Sequence, residues 1–120
     1  MKYELEFEIN DLPKTINAIG YMHWTVRAKE IKKWHGLVRC ASNGKLPDAP
    51  LEKAKLILTR FSSKCPDSDG LVHSFKSVID GLRKSNILSD DNFGVIGMPE
   101  YKWEKAPPKK GKIKVKVEEI

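Results

Sequence analysis

Two pairs of aspartates bracket one amphipathic stretch of this chain: Asp67 and Asp69 open it, Asp90 and Asp91 close it. Carboxylates with few other donors nearby offer the hard oxygen ligands that Mg²⁺ or Mn²⁺ prefers, leaving coordination positions for water and phosphate oxygens. A cation held that way can activate water and stabilise the leaving oxygen of a phosphodiester. Two further side chains between the pairs bear on such chemistry. Lys76 is either a helical partner of Asp80 or a fixed cation facing a phosphate. His73 either pairs with Asp69 four residues earlier or serves as a general base. A purely structural reading accounts for the same residues: Asp67 starts a turn, Asp69 caps a helix, Asp80 pairs with Lys76 or Lys84, and Ser89-Asp90-Asp91 is a surface turn. D-x-D alone does not choose between them.

The elements around these residues must position them. Residues 69 to 85 predict one helix, with Asp69 at or just before its start. At helical spacing Leu71, Val72, Phe75, Val78, Ile79 and Leu82 fill an apolar arc, and Asp69, His73, Lys76, Asp80 and Lys84 lie opposite. Such a helix is about 24 Å long. Asp91 therefore meets Asp67 and Asp69 only if the chain after Asn86 folds back along the helix. The two residues of D-x-D point to the same side if that segment is extended.

Residues 2–9 alternate strictly, Tyr3, Leu5, Phe7 and Ile9 against Lys2, Glu4, Glu6 and Glu8, and predict a half-buried strand. The segment after Pro13, through His23, reads as loop. Residues 25–42 predict a helix with Thr25 as N-cap, a buried stripe of Ala28, Ile31, Trp34, Val38 and Ala41, and a stop at Asn43-Gly44. Its outer face carries Arg27, Lys29, Lys32, Lys33, His35 and Arg39, either a solvated face or a ridge for phosphates. Residues 46–50 are a turn-rich linker. Residues 53–61 predict a central strand, apolar on both faces around Leu56–Leu58. A strand over 95–103, with Pro99 marking an edge or bulge, and another over 112–120 complete the set. The reading is one α+β domain over residues 1–120. It has a mixed sheet of about four strands, two helices on one face, and the order β-α-β-α-β-β. The second sheet face must be covered or must pair, which a homodimer would do.

The chain has 120 residues, 40% of them hydrophobic, and a formal net charge of +6. That excess suits a polyanionic partner. No apolar run reaches membrane-spanning length, and the acidic, alternating N-terminus is unlike a targeting peptide, so a cytoplasmic protein is expected. Cys40 and Cys65 are far apart and in no metal-binding pattern, so reduced thiols are expected and zinc is not suggested.

DSDGL…SFKSVIDGLRKSNILSDD resembles the signature of the RusA-type Holliday-junction resolvases of phages and prophages: D-x-D-N-L, a Lys, an Asp on the helix, then D-D. LPKTIN at 12–17, the first strand before it and the basic helix after it are similar to the family's N-terminal part. The resemblance implies a small α+β homodimer that binds four-way DNA junctions and makes paired nicks with Mg²⁺, Mn²⁺ being able to substitute. It implies Asp67, Asp69 and Asp91 as the catalytic, metal-binding acids, with Asp90 as their neighbour at the metal. Gly70 stands where Asn is usual, and His73 takes the spacing after D-x-D at which the Lys commonly falls. Lys76 keeps the spacing to Asp80 and is the favoured cation, because it stays charged at neutral pH.

The expected activity is thus a metal-dependent endodeoxyribonuclease that resolves four-way junctions in recombination and repair, with no membrane and no small-molecule cofactor involved. Arg27, Lys32, Lys33, Arg60 and His73 are the expected DNA contacts, reading shape rather than sequence. The alternatives are a catalytically decayed junction-binding module on the same fold and an interaction protein whose charges only solubilise it.

Overall fold

The computed structural model describes residues 2–14 and 23–120. The loop reading of residues 14–23 therefore lies largely outside the described residues, as does half of the LPKTIN segment. The first strand, β1 (Glu4–Ile9), is followed by helix α1 (Trp24–Ser42) and strand β2 (Ala54–Ser62). Three helices come next, α2 (Ser68–Ser74), α3 (Lys76–Lys84) and the short α4 (Phe93–Ile96), and then strands β3 (Glu100–Lys105) and β4 (Lys112–Glu119). The four strands form one mixed sheet in the order β1-β4-β2-β3. β4 runs antiparallel to both β1 and β2, and β2 is parallel to β3.

The period-2 sequence pattern is what builds the sheet. Burial alternates residue by residue along β1, where Leu5, Phe7 and Ile9 are covered and Glu4, Glu6 and Glu8 are not. The same holds in β4 for Ile113, Val115 and Val117. These residues join Leu56 and Leu58 of β2 in one core with Trp34, Val38, Phe75, Val78 and Leu82 from the helices. The other sheet face is screened by its own charges. Lys112 reaches Glu8 at 2.8 Å and Lys114 reaches Glu6 at 2.9 Å, each diagonal to its register partner. Lys112 Nζ also sits 5.0 Å from the ring centroid of Phe61. As expected, β2 is central and the strand after Pro99 is an edge.

Four expectations need correction. The stretch from Asp69 to Ser85 is two helices, not one. Ser74 Oγ donates to the Leu71 carbonyl at 2.8 Å and the Phe75 N–H to Val72 O at 3.2 Å, which tightens the turn and breaks the ladder at Phe75. The break leaves Val72 exposed rather than in the apolar arc. In α1, Ala28 and Ile31 are not buried, because the helix overhangs the core: Trp34, Val38 and Ser42 are its buried residues, whereas Trp24 is 70% exposed. Its N-cap is His23, one residue pair ahead of expectation, accepting from Thr25 N through Nδ1. Finally, residues 95–96 belong to α4, capped by Asn92 and ended at Gly97 with φ of +57°, so β3 starts only after Pro99.

The α1–α3 contact fixes the helical layer. A Cβ on Gly81 would lie 3.2 Å from Val38 Cβ and Cγ2 and 3.4 Å from His35 Cα, so the two helices approach through that glycine. Among the described residues no helix is long and apolar enough to cross a membrane. Cys40 and Cys65 are free and exposed.

A branched side chain at Gly81 would overpack this contact. Gly81→Val is expected to lower stability by about 2 kcal/mol in chemical denaturation, whereas Gly36→Ala, in open space on α1, should not.

Candidate functional site

The turn after α3 decides where the last two aspartates go. Ser85 ends the helix and Asn86 takes a left-handed conformation with φ of 63°. Asn86 N donates to Arg83 O and Ile87 N to Leu82 O, both at 3.0 Å, the paired bonds of a Schellman stop. Ile87 and Leu88 are buried, and the backbone of residues 87–89 bonds to Leu51 on both sides at 2.9 Å. The chain is thereby turned back, as the sequence required for any meeting of the distant acids.

Asp91 then lines the same cleft as Asp69, with Val72, His73, Lys76, Ile79, Ile96, Pro99 and Tyr101, a cavity of about 480 Å³. The cleft continues past His73, Lys76 and Asp91 into a second lobe of about 370 Å³ walled by Arg27, Ile31, Ser77 and Asp80. Asp69, Asp91 and Lys76 are exposed, and His73 is half-buried with its Nδ1 inaccessible and without a hydrogen-bond partner among the described residues. Tyr101 was not anticipated. It reaches the cleft because β3 pairs in parallel with β2 and sets Tyr101 beside Leu58.

Asp67 stands elsewhere. It, not Asp69, is the N-cap of α2, with backbone at φ −69° and ψ 169°, and its Oδ1 accepts from Gly70 N at 2.7 Å. It lines a separate pocket with Leu12, Arg60, Lys64 and Pro66. The same-side argument for D-x-D fails because Asp67 is extended while Asp69 is already in the helix. Among the described residues no three His, Cys, Asp or Glu side chains gather as a ready cation cage. Asp69 and Asp91 are the two cleft carboxylates that could hold Mg²⁺, with the remaining positions open to water and a phosphate. Asp90 is engaged locally. The Asp91 N–H, 2.7 Å from its Oδ1, holds the Asp90 carboxyl below the usual carboxylate range, and Asn92 Nδ2 bonds the other oxygen at 3.1 Å.

The cations divide in the same way. Arg27 faces the cleft and Lys32 is exposed on α1. Lys33 is tied to Asp11 at 2.7 Å, which raises its pKa. Arg60 is not on an exposed face: it is 8% exposed, donates through Nη1 to Pro13 O at 2.7 Å and forms part of the wall of the Asp67 pocket. Asp80 pairs with neither Lys76 nor Lys84. It takes Arg83 Nη2 at 2.8 Å and lies 2.8 Å from His35 Nε2 on α1, so it joins the two long helices. Burial pushes the Asp80 carboxyl up, but the Arg83 hydrogen bond and the charges of His35, Arg83 and Lys84 outweigh it and hold the pKa below its ordinary value. Comparison with protein-family models and with curated proteins found no match.

Two outcomes follow. Because the Asp80 pKa is lowered in the folded protein, its contribution is complete above the ordinary carboxylate value near 3.8 and is lost as pH falls through the folded value. Asp80→Asn is expected to cost about 1 kcal/mol at neutral pH and to flatten the acid limb of the stability profile, followed by thermal melts from pH 7 downward. Second, a Cβ at Gly70 would lie 2.7 Å from Asp67 Oδ1. Gly70→Ala must open that cap, with an expected loss of about 1 kcal/mol that Asp67→Ala reproduces and the double variant does not add to.

Proposed function

We propose that this protein is a metal-dependent endodeoxyribonuclease of the RusA type, acting on four-way DNA junctions as a homodimer. The observation that carries the reading is the return of Asp91 to the cleft holding Asp69, His73 and Lys76. Asp91 lies 22 residues beyond Asp69 in the sequence, and its return unites two carboxylates with a cation inside a basic protein. Mg²⁺ bound by Asp69 and Asp91 would supply a water of lowered pKa and charge for the leaving oxygen.

The protein's own residues do the rest. Lys76 is free of ion pairs among the described residues, because Asp80 is committed to Arg83 and His35. It offers its charge to the non-bridging oxygens of a phosphate in the cleft. Arg27, across the second lobe, holds the neighbouring backbone, and Lys32 adds long-range attraction. Tyr101 and Ile96 give the cleft one apolar wall. A two-fold dimer would place two such clefts on a substrate that is itself two-fold symmetric, which suits paired nicks.

A second reading, a junction-binding module without cleavage, is favoured by one observation: Asp67, an acid of the resembled signature, is folded onto Gly70 N instead of facing the cleft. Cleavage of a synthetic four-way junction separates the two. The nuclease reading expects nicking with Mg²⁺, none with EDTA, and a loss of at least about 10²-fold in Asp69→Asn and Asp91→Asn with junction binding retained. Binding without nicking at any Mg²⁺ or Mn²⁺ concentration establishes the second reading, and no salt-sensitive binding at all removes both.

A further inference from the structure

Arg60 sits in the protein wall with its charge unanswered. It is 8% exposed, and among the described residues its only hydrogen bond is from Nη1 to Pro13 O and Nε has no partner. Burial lowers its pKa, yet a guanidinium keeps its proton in proteins. A buried charge is stable only when paired or hydrogen-bonded. The nearest candidate, Asp67, lines the same pocket but forms no ion pair with it, and its Oδ1 is taken by Gly70 N. The pocket, about 460 Å³, is open to solvent beside Ser63 and Lys64, both exposed. Ser62 is already occupied, donating to Lys64 O at 2.7 Å and accepting from Trp103 Nε1 at 2.9 Å, which stiffens the loop that carries its two neighbours.

We propose that this pocket, between the end of β2 and the start of α2, binds a single phosphate group of a nucleic-acid backbone through Arg60, Ser63 and Lys64. The pocket is distinct from the Asp69–Asp91 cleft and lies on the Asp67 side of α2. Nε is buried and Nη1 already donates to Pro13 O, so Nη2 and the second hydrogen of Nη1 are the guanidinium donors left for phosphate oxygens, with Lys64 as a mobile charge and Ser63 as a hydroxyl donor. Two cations against one carboxylate leave the pocket net positive. The choice of a backbone phosphate rests on the nuclease reading, because the cleft and this pocket both border the start of α2, with Asp69 in one and Asp67 and Gly70 in the other. A phosphate held here would fix the strand's register without reading its sequence.

The test uses the whole ¹⁵N-labelled protein and follows the Arg60 side-chain Nε–H resonance. Inorganic phosphate is titrated at constant ionic strength, with chloride as control. The expected result is a saturable shift at Arg60 and at the Ser63 and Lys64 amides. Lys64→Gln, an exposed change that leaves the fold intact, should weaken it by about tenfold. A short duplex with a single-stranded arm should displace the phosphate. No saturable shift, or an equal shift with chloride, overturns the pocket. Saturable binding that DNA fails to displace overturns the backbone assignment and leaves a site for free phosphate. Failure of the nuclease reading shows separately: no junction is nicked, whatever Arg60 does.

Discussion

The reversal at Asn86 is the constraint on which the candidate site depends. Without it, the residues after α3 would run on past the helix, away from Asp69. The reversal is held by a local device and a tertiary one. The local device is the left-handed Asn86 with its two 3.0 Å backbone bonds into the last turn of α3. The tertiary one is the burial of Ile87 and Leu88 and the clasp of residues 87–89 on Leu51. A short polar turn would not hold a fixed direction by itself. The apolar pair Ile87–Leu88 makes it part of the core, so Asp90 and Asp91 leave from a rigid point.

The break at Phe75 acts in the opposite sense, by separating what the sequence puts close together. Phe75 is wholly buried and packs 6.1 Å from Tyr101. α2 is therefore short, and its first turn is spent on capping. Asp67 becomes the cap, Asp69 points into the cleft, and the two flank one helix start rather than facing one ion. Gly70 permits this arrangement, since any side chain there would meet the Asp67 carboxylate. The pairing of Asp80 with His35 and Arg83 has a similar consequence. It joins α1 to α3, and it leaves Lys76 unengaged beside the cleft.

Charge on this molecule is distributed by architecture rather than by count. The open sheet face neutralises its lysines against glutamates one register away, so much of the basic excess there is internally balanced. Arg27 and Lys32 stand on the overhanging half of α1, where the core does not reach. Arg60, which lies on the inward-facing side of β2 opposite Ile113, is drawn inside with it.

Much of the fold was legible in the sequence. Strict alternation in residues 2–9 and 112–120 and the apolar run around Leu56–Leu58 set the sheet, because period-2 burial needs no long-range information. Asn43-Gly44 and Pro99 marked a helix end and an edge strand for equally local reasons. Helix breaks and burial at element ends were not legible: the kink at Phe75 depends on a serine hydroxyl's choice of acceptor, and the exposure of Ala28 and Ile31 depends on where the core stops. By itself the sequence determined which side chains could do chemistry. Only the tertiary structure decided which of them share a cleft, bringing Asp91 to the cavity that Asp69 lines, sending Asp67 to a cap and Arg60 to the interior. Direction at a helix start and the path of a returning chain are set by packing against Leu51, Gly81 and Tyr101, which no local window of residues contains.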